Sequence, residues 1–399
     1  MYRTAVPGPP PSSPASRLPV PALVLMAFTG FIVIMTETLP AGLLPLLGAD
    51  FDISDGTAGQ FVSAYALGTV VAAIPAIAVT QGVSRKRLLI AGLAGFLIAN
   101  VVTAIATSLA LALVARFVGG AFSGLLWGML AGYARRIVTP EQAGRALAIA
   151  MTGTPVALSI GTPLGSWLGA LIGWRWAFTC VSVLTVAVLV AVVLIVPDAP
   201  GSRSGDRPRV VRVVAIPGVA AVLVVVFGWM LAHNLLFTYI APFLESGGLG
   251  LRPDAALFIF GFGALCGIGI TAALIDRALR ALVICSVTVF AVVATALTLA
   301  AGSPAVTVGA LIAWGVAFGG SATQLQTASA NAAGNGADVA NAMLTTVFNL
   351  AIFVAGAAGA LIVDSIGAQA IPVVMGILSL IVLVIVTVAR THAFPRNAP

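Results

Sequence analysis

Three ionisable residues of this 399-residue sequence stand inside long apolar runs: Glu37, Arg116 and His233. A charge held in hydrocarbon costs roughly 2.5–3.5 kcal/mol or more on insertion scales. Such residues therefore face a bundle interior or a water-filled path. Glu37 is the one acidic residue in the interior of any apolar run. A carboxyl that trades a proton for a cationic partner or a substrate is a coupling device. The alternative role for Glu37 is to cap backbone or hydroxyl groups at a bend near Pro40. Arg116 suits either coupling or bracing of helices through backbone carbonyls. His233 suits either proton coupling or a simple interhelical hydrogen bond.

The runs that must position these residues are long enough to cross a bilayer, which takes about 20 apolar residues. Twelve qualify: 20–47, 57–80, 87–106, 109–133, 143–172, 174–196, 215–244, 253–275, 279–301, 305–328, 339–363 and 367–389. They are called the first to twelfth segments below. At 1.5 Å per residue, Glu37 lies about 15 Å, Arg116 about 10 Å and His233 about 16 Å from the same membrane face. The three therefore share one level near the midplane. Composition supports this reading. Hydrophobic residues make up 60% and charged residues 8% of the chain, against about 25% charged in soluble domains. The fold class expected is all-α, with twelve transmembrane helices in two six-helix bundles.

The net charge is +7, but the basic residues are short clusters between apolar runs, which marks topology rather than nucleic-acid binding. With the N-terminus placed in the cytoplasm, sixteen of the 19 Lys and Arg residues fall on the inner side. Arg175 and Arg252 fall outside, and Arg116 stays within a helix. This predicts a multi-pass protein of a bacterial cytoplasmic membrane with both termini inside. Residues 1–19, rich in Pro and Ser, read as a disordered cytoplasmic tail. Residues 20–196 form the first bundle and 197–214 a basic cytoplasmic linker. Residues 215–390 form the second bundle and 391–399 a cytoplasmic tail. The first segment reads as a retained helix, not a cleaved signal. Cys180, Cys266 and Cys285 fall inside apolar runs and read as small core residues, not disulfides or metal ligands.

The halves echo each other. Gly120-Ala-Phe-Ser-Gly124 matches Val316-Ala-Phe-Gly-Gly320, and the prolines Pro45 and Pro242 align at nearly the same offset. The basic turn at 85–87 matches Asp276-Arg277-Ala-Leu-Arg280. A shared offset predicts parallel six-helix repeats and puts Asn234 at the position equivalent to Glu37, with His233 beside it. The fifth segment carries Gly161, Pro163, Gly165 and Gly169. Small residues at four-residue spacing admit a close neighbour, and proline bends the helix. This segment is expected to pack at an interface and act as a seal.

Together these motifs resemble the major facilitator superfamily, and within it the twelve-helix drug/proton antiporters. The resemblance is carried in order by Glu37-Thr-Leu-Pro40, Gly42-Leu-Leu-Pro45, Arg116-Phe-Val-Gly-Gly120, Gly161-Thr-Pro163-Leu-Gly165 and Gly173-Trp-Arg175. It spans about residues 20 to 390. It implies that Arg116 belongs to a membrane-embedded arginine motif and that Gly161, Pro163 and Gly165 form an antiporter motif; Glu37, Arg116 and His233 stand as the proton-coupling candidates on their placement in apolar runs. It also implies a gating loop of Arg85 and Arg87 in the first half, and of Asp276, Arg277 and Arg280 in the second. One departure is plain. The first-half loop reads Gln81-Gly82-Val83-Ser84-Arg85-Lys86-Arg87 and lacks the family's aspartate.

The function expected is proton-coupled export of small, drug-like molecules by alternating access, with the lipid bilayer, substrate and protons as partners. No cofactor, metal, nucleic-acid partner or enzyme chemistry is expected, and the chain is expected to act as a monomer. There is no phosphate-binding loop and no His/Cys cluster with metal spacing. A sugar or nucleoside exporter of the same fold is the alternative. It would want a polar cavity, to which Asn234, Gln324 and Asn349 could contribute. An uncoupled facilitator is a further alternative, and a membrane sensor would need an effector domain that the sequence lacks.

Overall fold

In a bilayer every backbone polar group must be satisfied within the chain, so apolar runs of this length become helices. The computed structural model describes residues 18–80, 82–201, 213–248, 250–300, 302–391 and 393–394. The tail at 1–17, most of the linker (202–212) and residues 395–399 lie outside the described residues.

Among the described residues, ten helices are long and apolar enough to cross a membrane. One of these, Pro253–Leu299, runs 47 residues. That is about 70 Å at 1.5 Å per residue, more than twice the ~30 Å hydrocarbon core. It breaks at Ala278, whose φ/ψ of −145°/32° is not helical. The break falls inside the Asp276–Arg280 turn and separates the eighth from the ninth segment. Gln60–Val79 supplies a further 20-residue apolar helix as the second segment. The helical architecture is consistent with twelve segments.

Several segments are interrupted where the sequence removes a hydrogen bond or adds flexibility. The first is helical over Val20–Thr38, tightens to a 3-10 turn at Leu39–Gly42, which holds Pro40, and resumes at Leu44–Phe51 behind Pro45. The fifth changes to a π-turn at Ala157–Gly161, ahead of Pro163. The seventh is helical over Val219–Thr238, breaks at Tyr239 and resumes at Ile240–Ser246. The fifth and sixth segments are joined through Gly173 at φ 95°, ψ 149°, and Gly367 repeats that conformation at φ 93°, ψ 157° before the twelfth. Side chains rarely adopt this left-handed region, and glycine does so at no steric cost.

The repeat is visible in the packing. A Cβ on Gly120 would lie 1.8 Å from the Tyr65 carbonyl, and one on Gly315 would lie 2.2 Å from the Phe260 carbonyl. Likewise Gly124 meets Thr69, and Gly319 meets Ala264. Each of these four residues of the first half thus recurs 195 positions later. This corrects the sequence alignment of Gly120 with Val316 by one residue, because helix approach selects the glycine itself. The second–fourth contact of one bundle is the eighth–tenth contact of the other.

The cysteines require a second correction. Cys180, Cys266 and Cys285 are free and exposed rather than in the core. In a bilayer the outer surface is as apolar as the interior, so hydropathy does not separate the two locations.

Candidate functional site

The break in the first segment is the centre of the site. Arg116, 1% exposed, reaches it from the fourth segment. Its Nη1 donates to the Thr36 carbonyl at 2.9 Å, Nη2 to the Glu37 carbonyl at 3.5 Å, and Nε to the Phe61 carbonyl at 2.9 Å. The guanidinium lies over the Tyr65 ring at 4.5 Å and near Phe178 at 5.6 Å. Arg116 therefore joins the first, second and fourth segments through backbone carbonyls. The Tyr65 hydroxyl donates to the Val33 carbonyl at 3.2 Å, one turn earlier. On the other flank, Thr38 and Thr162 hydroxyls share a 2.6 Å hydrogen bond, and Ser166 donates to the Gly42 carbonyl at 3.1 Å.

Within this brace the Glu37 side chain is 6% exposed. No hydrogen bond or ion pair engages its carboxyl among the described residues. The contact with Arg116 uses the Glu37 backbone, and the capping role for the side chain is not realised. Glu37 and Arg116 are thus brought together at one point.

His233 lies elsewhere. It is buried in the second bundle, stacked on Phe318 with centroids 3.4 Å apart and planes 8° apart, and ringed by Phe237, Phe260 and Trp314. Its Nδ1 has no partner among the described residues. No interhelical hydrogen bond from Nδ1 is formed, and aromatic packing holds the ring.

The three candidate cavity residues are not joined to one another. Asn234 donates to the Met230 carbonyl at 2.8 Å and Asn349 to the Thr345 carbonyl at 3.0 Å, each one turn back on its own helix. Gln324 is buried against the eighth segment, donating to Thr271 Oγ1 at 3.0 Å. The Oδ1 of Asn349 and the Oε1 of Gln324 have no partner among the described residues.

The glycine stripe of the fifth segment faces the first segment. A Cβ on Gly161 would lie 2.9 Å from the Phe31 ring, and one on Gly165 would lie 2.7 Å from Leu39 and 2.8 Å from Met35. The face toward the other half is different. Gly261 of the eighth segment lies against the Ser159 backbone, and Pro163 lines a groove of about 530 Å³ between the fifth and eighth segments. The expected seal is therefore divided, because a helix presents opposite faces to two neighbours.

At the 85–87 turn, expected as the gating loop of the first half, Asp198 packs against a loop that carries no acid of its own. It accepts from the Ser84 hydroxyl at 2.8 Å and from the Lys86 backbone N–H at 3.1 Å. Arg85 N donates to the Ala199 carbonyl at 2.8 Å, and Tyr133 donates to the Pro197 carbonyl at 2.7 Å. These hydrogen bonds, Ser84 first, hold the Asp198 carboxyl below the usual carboxylate range. Arg87 is exposed beside it. The second loop is organised differently. Arg280 donates to the Phe394 and Thr387 carbonyls at 2.6 and 3.0 Å, beside a cavity of about 620 Å³ lined by Asp276 and Arg277. Asp276 is exposed, and no ion pair engages it among the described residues. Sequence reading missed Asp198 because its partner is 114 positions away. The Pro-Asp-Ala-Pro run at 197–200 was its only signal.

The halves meet at the end opposite the basic loops. Ser54 donates to Asp364 Oδ2 at 3.0 Å, Ser63 to the Phe353 carbonyl at 3.2 Å, and Gln60 to the Gly356 carbonyl at 3.4 Å. Asp55 and Glu245 sit at the same end. Burial raises the pKa of both; the charge of Asp364 adds to the rise at Asp55, and that of Asp55 at Glu245. This end is sealed by contacts between the second and eleventh and between the fifth and eighth segments.

Residues 26–356 match the family model described as Major Facilitator Superfamily. The chain is 29% identical over 368 residues to a purine ribonucleoside efflux pump, NepI, of Shigella dysenteriae serotype 1, covering 92% of this chain and 93% of the relative. It is 28% identical over the same length to the protein of that name in Escherichia coli strain K12. Among solved structures, the human organic anion transporter MFSD10 (TETRAN) superposes with a TM-score of 0.70 at 17% identity, covering 92% of this chain and 99% of that one.

Proposed function

Because the chain belongs to the Major Facilitator Superfamily, and so is a multi-pass membrane transporter rather than an enzyme, we propose that it is a proton-coupled exporter of purine ribonucleosides or closely similar molecules. The observation that carries the coupling is the Glu37 carboxyl. It is buried, free of hydrogen bonds among the described residues, and set at a helix break whose carbonyls Arg116 holds. A carboxyl placed so has its charge state as its remaining variable. Arg116 spends its donors on backbone and acts as the fixed positive neighbour.

The relatives support the nucleoside reading over the drug-like one, since each covers more than nine-tenths of this chain. Two bundles sealed at one end suit alternating access about a midplane site. With the basic loops in the cytoplasm of a bacterial cell, the sealed end faces outward and the structure is an inward-facing state. The chain works as a monomer in this reading. Proton binding at Glu37 from outside and substrate release to the outside occur on the same exposed state.

Inside-out membrane vesicles test the proposal. A labelled purine ribonucleoside should accumulate when the vesicle interior is acid and stop accumulating when an ionophore collapses the gradient. Glu37→Gln keeps the shape and cannot titrate. It should lose gradient-driven uptake while retaining substrate exchange without a gradient. Full gradient-driven uptake by Glu37→Gln would refute the coupling role.

A further inference from the structure

We infer that Tyr239 is the keystone of the sealed end, a residue of the second half that locks against the first and must leave its slot for that end to open. The inference rests on the alternating-access reading above. Tyr239 sits at the break of the seventh segment, with φ −103° and ψ 27°, between Val219–Thr238 and Ile240–Ser246. It is fully buried. Its hydroxyl donates to the Gly356 carbonyl at 2.6 Å, and the Gly56 carbonyl lies 3.2 Å away. The first acceptor is in its own half, and the second is in the other.

The slot around the ring is built from glycines. A Cβ on Gly59 would lie 2.0 Å from Tyr239 Oη, and a Cβ on Gly359 would lie 2.2 Å from Cε2. Neither position can carry even a methyl group while the ring is in place. Two flanking glycines repeat the pattern: Gly56 against the Asp364 carboxylate, and Gly356 against the Ser63 hydroxyl. Glycines on both walls, belonging to the second and eleventh segments, are what allow these segments to close on one ring. The first wall belongs to the half that moves away on opening, and Tyr239 travels with the second. The helix break supplies the means, because the Tyr239 N–H holds the Leu235 carbonyl at only 3.4 Å. A weakened turn lets the ring tilt without unwinding the whole segment.

The test uses Val62→Cys in a background lacking the three native cysteines, read by an impermeant maleimide from the sealed side. Val62 is buried with Ala66 and Ile352 between the halves, so it reacts only when the end opens. Gly59→Ala should raise the labelling rate about tenfold, the effect of a population shift of one decade. In a Tyr239→Ala background the same Gly59→Ala change should leave the rate unchanged or lower it, because the methyl then fills space the ring has vacated. Gly359→Ala probes the other wall and serves if Gly59→Ala does not accumulate as folded protein. An equal increment from the glycine substitution with and without the tyrosine ring would overturn the assignment. Labelling needs neither substrate nor a proton gradient, so its result stands apart from the vesicle assay of Glu37.

Discussion

Arg116 is where the chemistry of a single residue decides most. A buried guanidinium is costly to desolvate, and here three donors find three carbonyls while the plane lies over Tyr65. Lysine is a point charge with a different reach and cannot span these acceptors or stack in the same way. Arg116→Lys should destabilise the protein by about 2–3 kcal/mol, the worth of one charged hydrogen bond lost in the interior. A thermal unfolding series in detergent checks this; an unchanged midpoint would mean that the carbonyls find other partners. Glu37 differs in kind. Its side chain contributes no hydrogen bond to the fold among the described residues, so Glu37→Gln should unfold at a midpoint close to that of the parent. The two neighbours were both legible in the sequence as ionisable groups in apolar runs. Their division of labour was not, because whether a guanidinium meets a carboxylate or a carbonyl depends on side-chain reach across helices.

The fifth segment shows how one helix serves two contacts. Its glycines admit Phe31, Met35 and Leu39 of the first segment, while Ser159 meets Gly261 of the eighth. Gly165→Leu would drive a branched side chain into Leu39 and Met35, and overpacking of this kind costs about 1–3 kcal/mol. It should lower the yield of folded protein and the transport in parallel. Gly261→Ala should behave oppositely. Its Cβ would lie 2.6 Å from the Ser159 carbonyl across the seam, so folding should survive while closure and transport are lost. Measuring folded yield beside vesicle uptake separates the two; a transport defect in Gly165→Leu at full folded yield would return that glycine to the seal. The stripe itself was readable as close packing. Its partner was not, because small residues at four-residue spacing specify a face but not the helix that occupies it.

For the whole molecule, sidedness sets which compartment each end opens to. The basic turn at 85–87, the 277–280 turn and the described start of the linker at 197–201 lie at the end away from the seal formed by Ser54, Asp364 and Tyr239. The proposed orientation puts the basic end in the cytoplasm, as the positive-inside rule expects. A cysteine at position 204 of the linker should resist an impermeant maleimide added to intact cells and react in inside-out vesicles. Ready labelling in intact cells would invert the orientation and, with it, the direction assigned to the sealed end.

The amino-acid sequence by itself determined the solvent, the helices and the repeat. Apolar length forces helices in a bilayer, the scarcity of charges makes Glu37 and Arg116 conspicuous, and glycine and proline mark the breaks at 39–43, 157–161 and 173. It also carried the family. These properties are local in the chain, or repeat at a fixed offset, and need no knowledge of neighbours. Tertiary structure alone decided which faces meet. It set the cysteines on the outer surface, turned the fifth-segment glycines toward the first segment and shifted the repeat register by one residue. It also brought Asp198 to a loop 114 positions away and closed four glycines around Tyr239. In a membrane protein this division has a physical cause. Lipid and protein interior are almost equally apolar, so hydropathy does not mark the buried face of a helix, and packing shape must choose it.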